Sequence, residues 1–470
     1  MNRAALAVAM VVVSCGPPPT TLKTVTFGAV IDRTGSIANP TWPPAVALAV
    51  AHANAGLDTS AKWKNFHYDG LISDSTNVTA VAATRAAELV KEKGAKALIT
   101  DTSGDSVAIN KLNYDADDTN DLNVPLICNA CTSPDINKPL YVNANDAIDQ
   151  ETKRNTKGWF FRSTMDSDPQ AVVQLNIAMG AAPTATPRGD KNGDGKFKAS
   201  VIVIDDTFGN GFADGLTRGA AALNLTPPAI VEVIKHPRDA NVDSYDWAAA
   251  VGKLTNNLND TTMLVDGVPD IVIVVDFPQF GAAITKAYLN IANAPRLLHS
   301  HNFRHESVVL KLQTQVVGQE GTSHVLLDGE SGTKFAADYQ AANGAPPQFW
   351  AANTYDSAMV IMLSMAVAIQ TNGLADPTTV TGAQILEAMK QINDPTGTRI
   401  GAGSAEFAKA IGVIKDGGKI NYDGASGPMD FDANGNVNGR LARWKYQNSA
   451  FEDVERFDCV ANRASCPPIP

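Results

Sequence analysis

Short apolar segments and longer segments with helical spacing alternate along most of this 470-residue chain. The alternation begins with TVTFGAVI at 24–31 and PAVALAVAHANAGL at 44–57. It continues with NFHYDGLIS, a helical segment near 76–93, AKALIT and VPLICN. The short segments have the length and β-branched content of buried strands. Strands that alternate with helices pair in parallel, so this region predicts a doubly wound sheet with helices on both faces.

A second series of the same kind follows the segment KGWFFRSTMDSD. Its predicted strands are ASVIVID, AIVEVI and DIVIVVD, and its predicted helices lie near 168–179, 211–224 and 244–258. Later helices are predicted near 334–343, 350–371 and 384–392, and no flexible linker precedes them, so we expect them to cover the first sheet. The sequence therefore predicts an α/β fold of two doubly wound parallel-sheet lobes joined by a multi-strand hinge.

The N-terminus carries the features of an export signal. A basic MNR precedes an apolar run at 4–13 that is too short to span a bilayer, and Cys15 follows shortly after. The sequence VVSC is similar to a lipobox, in which the cysteine is lipidated and becomes the mature N-terminus. The proline-rich GPPPTTLK predicts an extended tether, because proline lacks a backbone donor. An ordinary cleaved signal, in which Cys15 has no role, is the alternative.

These observations divide the chain into five predicted parts. We expect a signal peptide at 1–14, a lipidated tether at 15–22, lobe 1 at 23–155 and 326–438, lobe 2 at 156–325 and 439–456, and a C-terminal tail at 457–470. Because each lobe is discontinuous, the chain must cross between the lobes more than once.

The charge of the chain restricts its partners. The formal net charge is -11, and no cluster of lysine and arginine is visible in the sequence. Phosphate binding needs such a cluster, so we expect neither nucleic acid nor an anionic lipid surface as a partner. No segment after Cys15 is apolar for long enough to suggest a membrane span, so we expect a lipid anchor to be the attachment to the membrane.

Four cysteines remain besides Cys15, in a chain expected to reach an oxidising compartment. Cys459 and Cys466 could close a small loop in the tail. Cys128 and Cys131 have the spacing of a redox pair or of half a zinc site, but no helix start follows to tune a redox pair. Our interpretation is a local disulfide. Two free thiols are the alternative, and a zinc site that joins both pairs would require the tail to reach the first pair.

One loop resembles the opening of a calcium site. Asp190, Asn192 and Asp194 stand at alternate positions, and Gly195 follows them. The twelfth position is Val201, inside a predicted strand, where a calcium loop places glutamate. This departure favours a solvated turn.

No pattern in the chain supports catalysis. GNGFADG follows a strand and begins a helix, but it is one residue too long for a dinucleotide-binding glycine motif. We find no nucleophile with a plausible base, so we do not expect an enzyme. His299, His301 and His305 are a weak zinc pattern without a cysteine or aspartate set. We therefore predict no metal and no cofactor.

Several motifs resemble segments of the type 1 periplasmic binding proteins of the leucine-binding kind. The opening segment TFGAVIDRTGSIANPTWPPAVALAVAHANAG is similar to the first strand, loop and helix of that family. VPLICNACTSPDI, WFFRSTMDSDPQA, IDDTFGNGFADG and INYDGASGPMDFDANGNV resemble later segments, in the same order. The resemblance covers nearly the whole mature chain and implies two lobes that close on a small ligand.

The resemblance also implies where a ligand binds. In open α/β sheets the ligand lies beyond the carboxyl ends of the strands, where loop amides and helix N-termini attract a carboxylate. Ser103, Ala130 and Thr132 match positions at which the family holds a carboxylate. Aromatic side chains would form walls, and an acid would accept a cationic group. The full set of implied contacts is Trp42, Ser103, Ala130, Thr132, Phe208, Asp276, Phe277 and His301. The alternatives are helix capping for the polar residues and core packing for the aromatic ones.

We expect an extracytoplasmic solute-binding lipoprotein that captures a small polar ligand and delivers it to an ABC importer. The expected ligand is an amino acid or a related carboxylate or amide. The family's amino-acid binders commonly carry an acid where this chain has RLLHSHNF, and this departure counts against an α-amino acid. The expected partners are the ligand and the ABC permease subunits of the membrane. The expected location is the periplasm or the cell surface, with an anchor at Cys15. A ligand-sensing receptor component on the same fold is the alternative function.

Overall fold

The computed structural model describes residues 22–35, 38–114, 117–137, 155–182, 184–255, 268–325, 327, 329–460 and 462–469. The predicted signal peptide, Cys15 and nearly all of the predicted tether lie outside these residues. Two large sheets dominate the described part of the chain.

The first sheet is fully parallel. Its strands are β1 (Lys23–Ile31), β2 (Phe66–Asp74), β3 (Leu98–Thr100), β4 (Leu126–Cys128) and β5 (Phe160–Arg162), in the spatial order β2-β1-β3-β4-β5. Its connecting helices are α1 (Trp42–Asp58), α2 (Thr79–Lys91) and α3 (Ser103–Asn110). β5 pairs with β4, so the predicted end of lobe 1 at residue 155 is too early. A short apolar strand beside a polar linker gave no clear boundary in the sequence.

The second sheet combines parallel strands with an antiparallel edge. Its strands are β6 (Ala199–Ile204), β7 (Ile230–His236), β8 (Ile271–Val275), β9 (Arg296–His299), β10 (Glu320–His324), β14 (Arg440–Gln447) and β15 (Ala450–Asp458), in the order β15-β14-β10-β9-β8-β6-β7. Its helices are α4 (Ser167–Met179), α5 (Thr207–Ala222), α6 (Trp247–Leu254), α7 (Pro278–Tyr288) and α8 (Glu306–Leu312). β14 runs antiparallel to β10 and β15. β15 ends two residues beyond the predicted lobe boundary at 456.

The remaining helices pack on the first sheet. They are α9 (Gly329–Asn343), α10 (Ala351–Thr371), α11 (Gly382–Met389) and α12 (Ser404–Lys415), together with a small sheet of β11 (Thr398–Ile400), β12 (Ile420–Gly424) and β13 (Gly427–Pro428). Phe27 of β1, Tyr355 of α10 and Phe407 of α12 are fully buried in one hydrophobic cluster. Short 3-10 turns occur at Lys111–Asn113, Asp118–Asn120, His301–Phe303, Gln313–Val316 and Pro377–Thr379.

The chain crosses between the lobes three times, between β5 and α4, between β10 and α9, and between β13 and β14. Side chains fix these crossings to one another. Asn353 Nδ2 donates to the carbonyl of Ser163 at 2.7 Å, and Ser163 Oγ lies 2.9 Å from Ser357 Oγ. His324 Nε2 lies 2.9 Å from the carbonyl oxygen of Met165, to which it donates. The three crossings form the hinge.

One helix among the described residues is long and apolar enough to cross a membrane. This helix is α10, and all of its most apolar window is buried inside the fold. By length and composition alone, the expectation that no segment after Cys15 would be long and apolar enough to span a membrane is therefore wrong. A helix that is buried on every side is equally typical of a protein core, so this finding is weak evidence for a membrane span.

Candidate functional site

A small cavity lies between the two lobes, beyond the carboxyl ends of strands from both sheets. Its volume is about 40 Å³. Of the eight predicted contacts, those that line it are Trp42, Ser103, Ala130, Phe208 and Phe277. Other members of the lining were not among the eight predicted contacts, and they include Asn39, Asp101, Thr102, Asn302, His305, Phe349 and Trp350. Because both lobes contribute, a molecule in this cavity would contact both at once.

The start of α3 supplies one polar edge of the cavity. Ser103 is the first residue of this helix, and Thr102 caps it by accepting a hydrogen bond from Asp105 N at 3.2 Å. Ser103 Oγ accepts a hydrogen bond from the backbone N–H of Ser133 at 3.2 Å. A hydroxyl that accepts one bond can still donate its own proton, so Ser103 can offer a donor to a ligand.

Ala130 lies in the loop that follows β4, between two cysteines. Cys128 and Cys131 are joined by a disulfide, and Cys459 and Cys466 by a second one. All four cysteines are buried, and the first pair is fully buried. The first disulfide closes a ring of four residues, which restricts the backbone that carries Ala130.

Arg162 holds the same loop from the other side. Its guanidinium donates to the carbonyls of Cys131 at 3.1 Å, Ser133 at 2.9 Å and Ile136 at 2.6 Å. Arg162 is fully buried, and burial lowers its pKa to about 10, so it still carries its charge at neutral pH. This role was not predicted from the sequence, although a charged residue that ends an apolar strand in WFFR was a signal for it.

Thr132 lies in this loop but does not line the cavity. Its carbonyl accepts hydrogen bonds from the backbone N–H and the hydroxyl of Ser167, at 2.7 and 2.5 Å. Its own hydroxyl is buried and has no hydrogen-bond partner among the described residues. Thr132 therefore joins the loop of lobe 1 to the first helix of lobe 2.

One wall of the cavity is built around the carbonyl of Phe349. This oxygen accepts hydrogen bonds from Trp42 Nε1 at 3.1 Å and from Asn39 Nδ2 at 3.0 Å. Trp350, which precedes α10, has a φ of 67°. A bulky residue rarely adopts this left-handed conformation, and the strain is typical of functional sites. The sequence missed this wall because 349–350 lie about 300 residues from Trp42.

The opposite wall belongs to lobe 2. Phe208 and Phe277 stack with their ring centroids 5.6 Å apart. His301 lies behind this wall, with its ring 5.4 Å from that of Phe208, and its Nδ1 donates to Gln170 Oε1 at 2.9 Å. Burial lowers the pKa of His301 well below its ordinary value, so the ring is neutral. His301 supports the wall and does not line the cavity.

Asp276 points away from the cavity. Its Oδ2 lies 2.5 Å from His236 Nε2, and its Oδ1 accepts the N–H of Phe277 at 2.8 Å. Both side chains of the Asp276–His236 pair are fully buried. Burial raises the pKa of Asp276 to about 6. Nothing in this arrangement leaves the carboxylate free to accept a cationic ligand.

A cluster of buried acids lies next to the cavity on the side of lobe 1. Asp32, Asp101 and Asp105 each have a carboxylate oxygen within 4.8 Å of the others, and all three are fully buried. Asp101 Oδ2 accepts the N–H of Asp32 at 2.6 Å, and its Oδ1 accepts the N–H of Thr102 at 2.7 Å. Burial raises the pKa of each acid, that of Asp105 to about 7. Like charges this close cannot all ionise at neutral pH without a cation.

The two weak metal patterns of the sequence have other partners. Asp190 accepts the N–H groups of Gly193 at 2.7 Å and Gly195 at 2.8 Å, and Asp194 pairs with Lys198. The loop thus uses its carboxylates on its own backbone and on a lysine. Each of the three histidines has a separate partner, which is Gln319 for His299, Gln170 for His301 and Ser307 for His305.

No protein-family model matches the chain, and no curated protein matches it. Solved structures do match. A leucine-binding protein from Thermotoga maritima is 16% identical with a TM-score of 0.62, over 92% of this chain and 99% of that one. A branched-chain amino acid binding protein from Streptococcus pneumoniae, in complex with isoleucine, is 15% identical with a TM-score of 0.60, over 92% and 98%. An ABC transporter solute-binding protein from R. palustris, in complex with benzoate, is 13% identical with a TM-score of 0.61, over 95% and 97%.

At these identities the likeness shows the fold and not the function. The match extends over nearly the whole length of each protein. The predicted fold class, two α/β lobes joined by a multi-strand hinge, is confirmed.

Proposed function

We propose that this chain, which has the fold of the type 1 periplasmic binding proteins, is an extracytoplasmic solute-binding protein that closes its two lobes on a small molecule. The observation that carries the proposal is the cavity between the lobes, lined by Trp42, Ser103 and Ala130 on one side and by Phe208 and Phe277 on the other. A ligand that contacts both lobes binds the closed form better than the open form, and so shifts the equilibrium towards closure.

The lining favours a ligand with an apolar body. Aromatic rings from both lobes surround the cavity, and the polar groups among them are mostly hydroxyls and amides. Asp101 is the acid among the described lining residues, and both of its oxygens already accept backbone N–H groups. Burial and the neighbouring Asp32 and Asp105 also raise the pKa of Asp101 well above its ordinary value, which favours the neutral carboxyl. A ligand ammonium would therefore lack a counterion. We place neutral or carboxylate-bearing solutes ahead of free amino acids.

The size of the cavity adds a condition. A dry protein cavity that takes benzene has a volume of about 150 Å³. The cavity here is about 40 Å³, so the two walls must separate before a ring can enter. We infer that the structure is a contracted closed form and that binding proceeds through an open one.

Thermal unfolding with candidate ligands tests the proposal. We expect benzoate or 4-hydroxybenzoate to raise the melting temperature and leucine or isoleucine to leave it unchanged. A ligand at a hundredfold over its Kd stabilises the folded state by about 2.7 kcal/mol. In an Ala130→Leu variant the added side chain fills the cavity and abolishes this gain, whereas Ala130→Ser preserves it. Equal stabilisation of both variants would place the ligand elsewhere.

The proposal includes an anchor at Cys15 and delivery to an ABC permease. Mass spectrometry of the mature protein should find a chain that begins at a lipidated Cys15, and an unmodified Cys15 would exclude the anchor. Uptake of labelled ligand should be lost when the gene for this chain is deleted and the permease is kept. Unchanged uptake, with a lost transcriptional response to ligand, would favour the sensing alternative.

A further inference from the structure

One arginine of lobe 2 reaches across the cleft. Arg238 follows β7, and its Nη2 donates to Asn77 Oδ1 of lobe 1 at 2.6 Å and lies 3.3 Å from the Asn77 carbonyl oxygen. Its Nη1 lies 3.3 Å from Asp206 Oδ2, within lobe 2. The guanidinium is therefore held by both lobes at once. Its fixed fork of donors suits such a bridge, which the point charge of a lysine cannot reproduce.

Arg238 also faces the acid cluster of lobe 1. Its Nη2 lies 3.7 Å from Asp105 Oδ1, and the Asp105 side chain is fully buried. Neither Asp105 oxygen nor Asp32 Oδ2 has a hydrogen-bond donor among the described residues. A buried carboxylate without a donor is costly, so the positive charge that lobe 2 brings here stabilises the closed arrangement.

The backbone of lobe 1 leaves room for this contact. A Cβ atom at Gly104, in the first turn of α3, would lie 2.7 Å from Arg238 Nη1. The guanidinium thus packs directly against the helix that also presents Ser103 to the cavity. The same helix therefore connects the arginine to the candidate ligand site.

We propose that Arg238 is a latch that holds the two lobes closed without a ligand and slows the escape of a bound one. The acid cluster of lobe 1 is thereby linked to the opening of the cleft, because the guanidinium of Arg238 moves away from the cluster when the lobes separate. The part that concerns ligand release rests on the proposed function, whereas the part that concerns closure does not.

Small-angle X-ray scattering of the ligand-free protein tests closure. We expect the wild-type chain to have the radius of gyration calculated for the closed structure and Arg238→Ala to have a larger one. Arg238→Lys should lie between them, because lysine keeps the charge without the fork. Gly104→Ala should give a small increase by displacing the guanidinium. Circular dichroism and a cooperative melting transition verify that each variant is folded.

Arg443→Ala is the matched control. Arg443 also belongs to lobe 2, but its carboxylate partners Glu320 and Glu455 lie in the same lobe, at 2.8 and 3.8 Å. We expect this variant to keep the wild-type radius of gyration. An open wild-type protein, an Arg238→Ala protein as compact as the wild type, or equal expansion of the two alanine variants would overturn the latch.

Dissociation kinetics test the second part, with benzoate as the probe. We expect Arg238→Ala to release it roughly tenfold faster, with little change in association rate, because interactions made only in the closed form act on release. Unchanged release from an expanded Arg238→Ala protein would overturn the role in retention. If no probe binds the wild type, the proposed function fails at this site, and the scattering experiment still decides closure.

Discussion

The two lobes bury different sets of ionisable groups. Lobe 1 buries the carboxyl groups of Asp32, Asp101, Asp105 and Asp356, whereas lobe 2 buries the imidazoles of His299, His301 and His324 beside carboxyl groups such as that of Asp276. Burial raises the pKa of the acids and lowers the pKa of the histidines. Both shifts favour the neutral form, which is the less costly one in a medium of low polarity.

This difference predicts opposite responses to acid. Burial raises the pKa of Asp356 to about 6, so its contribution to stability is fully present below its unfolded-state pKa near 4 and is lost as the pH rises through about 6. Burial lowers the pKa of His324 to about 4, so its contribution is fully present above its unfolded-state pKa near 6.5 and is lost as the pH falls through about 4. Acidification from pH 7 to pH 5 therefore stabilises the fold through Asp356 and destabilises it through His324.

The largest effect is expected at Arg162, which is buried but keeps its charge and so differs from the acids and histidines above. Arg162→Ala removes three hydrogen bonds to carbonyls and leaves a void, so we expect the free energy of unfolding to fall by about 3–5 kcal/mol. Urea unfolding at pH 7 measures this loss. Arg218→Ala breaks a half-exposed ion pair and should cost less than about 1 kcal/mol. Similar losses for the two variants would mean that Arg162 does not organise its loop.

The histidines of lobe 2 should produce the next largest effect. Between pH 7 and pH 5, His299 and His324 should each lower the free energy of unfolding by about 2 kcal/mol, because the unfolded state takes up a proton that the buried ring does not. Urea unfolding of His324→Gln at both pH values should show a smaller loss than the wild type, by about that amount. Ile273→Val, a core change in the same lobe without a titrating group, should keep the wild-type difference. If His324→Gln keeps it too, the ring is protonated in the folded state.

A smaller effect of opposite sign is expected in lobe 1. Asp356 accepts hydrogen bonds from Tyr422 Oη and from the backbone N–H groups of Ala425 and Ser426. Acidification from pH 7 to pH 5 should add about 1 kcal/mol through this carboxyl, because the folded state takes up the proton first. Asp356→Asn should remove this gain. Tyr422→Phe keeps the carboxyl, so it should lower the free energy of unfolding and still show the gain on acidification. If Asp356→Asn shows the gain and Tyr422→Phe does not, another group causes the effect.

The strand and helix pattern predicted most of the fold, for a local reason. A strand covered on both faces needs a continuous apolar run, and ASVIVI and DIVIVV show such runs directly. β5 was missed because its three residues form too short a pattern to separate from a linker. β14 and most of β15 lie in the segment predicted for lobe 2, at 439–456, but periodicity could not show that β14 pairs antiparallel with β10, which lies more than a hundred residues earlier.

The candidate site was partly predictable. Trp42, Ser103, Ala130, Phe208 and Phe277 each follow a strand end, and the topology brings these ends to one cleft. Asp276 also follows a strand, but its carboxylate is paired with His236 at the end of β7, two strands away in the sheet. Which way a side chain points at such an edge depends on its packing partners, and the sequence does not show them.

The sequence alone determined that this chain builds two α/β lobes, because hydrophobic periodicity is a local property that each segment carries by itself. Only the tertiary structure decided that Phe349 and Trp350 complete the cavity and that Arg238 faces the acids of the other lobe. These contacts join segments more than a hundred residues apart. They depend on how the whole chain packs, which no local pattern records.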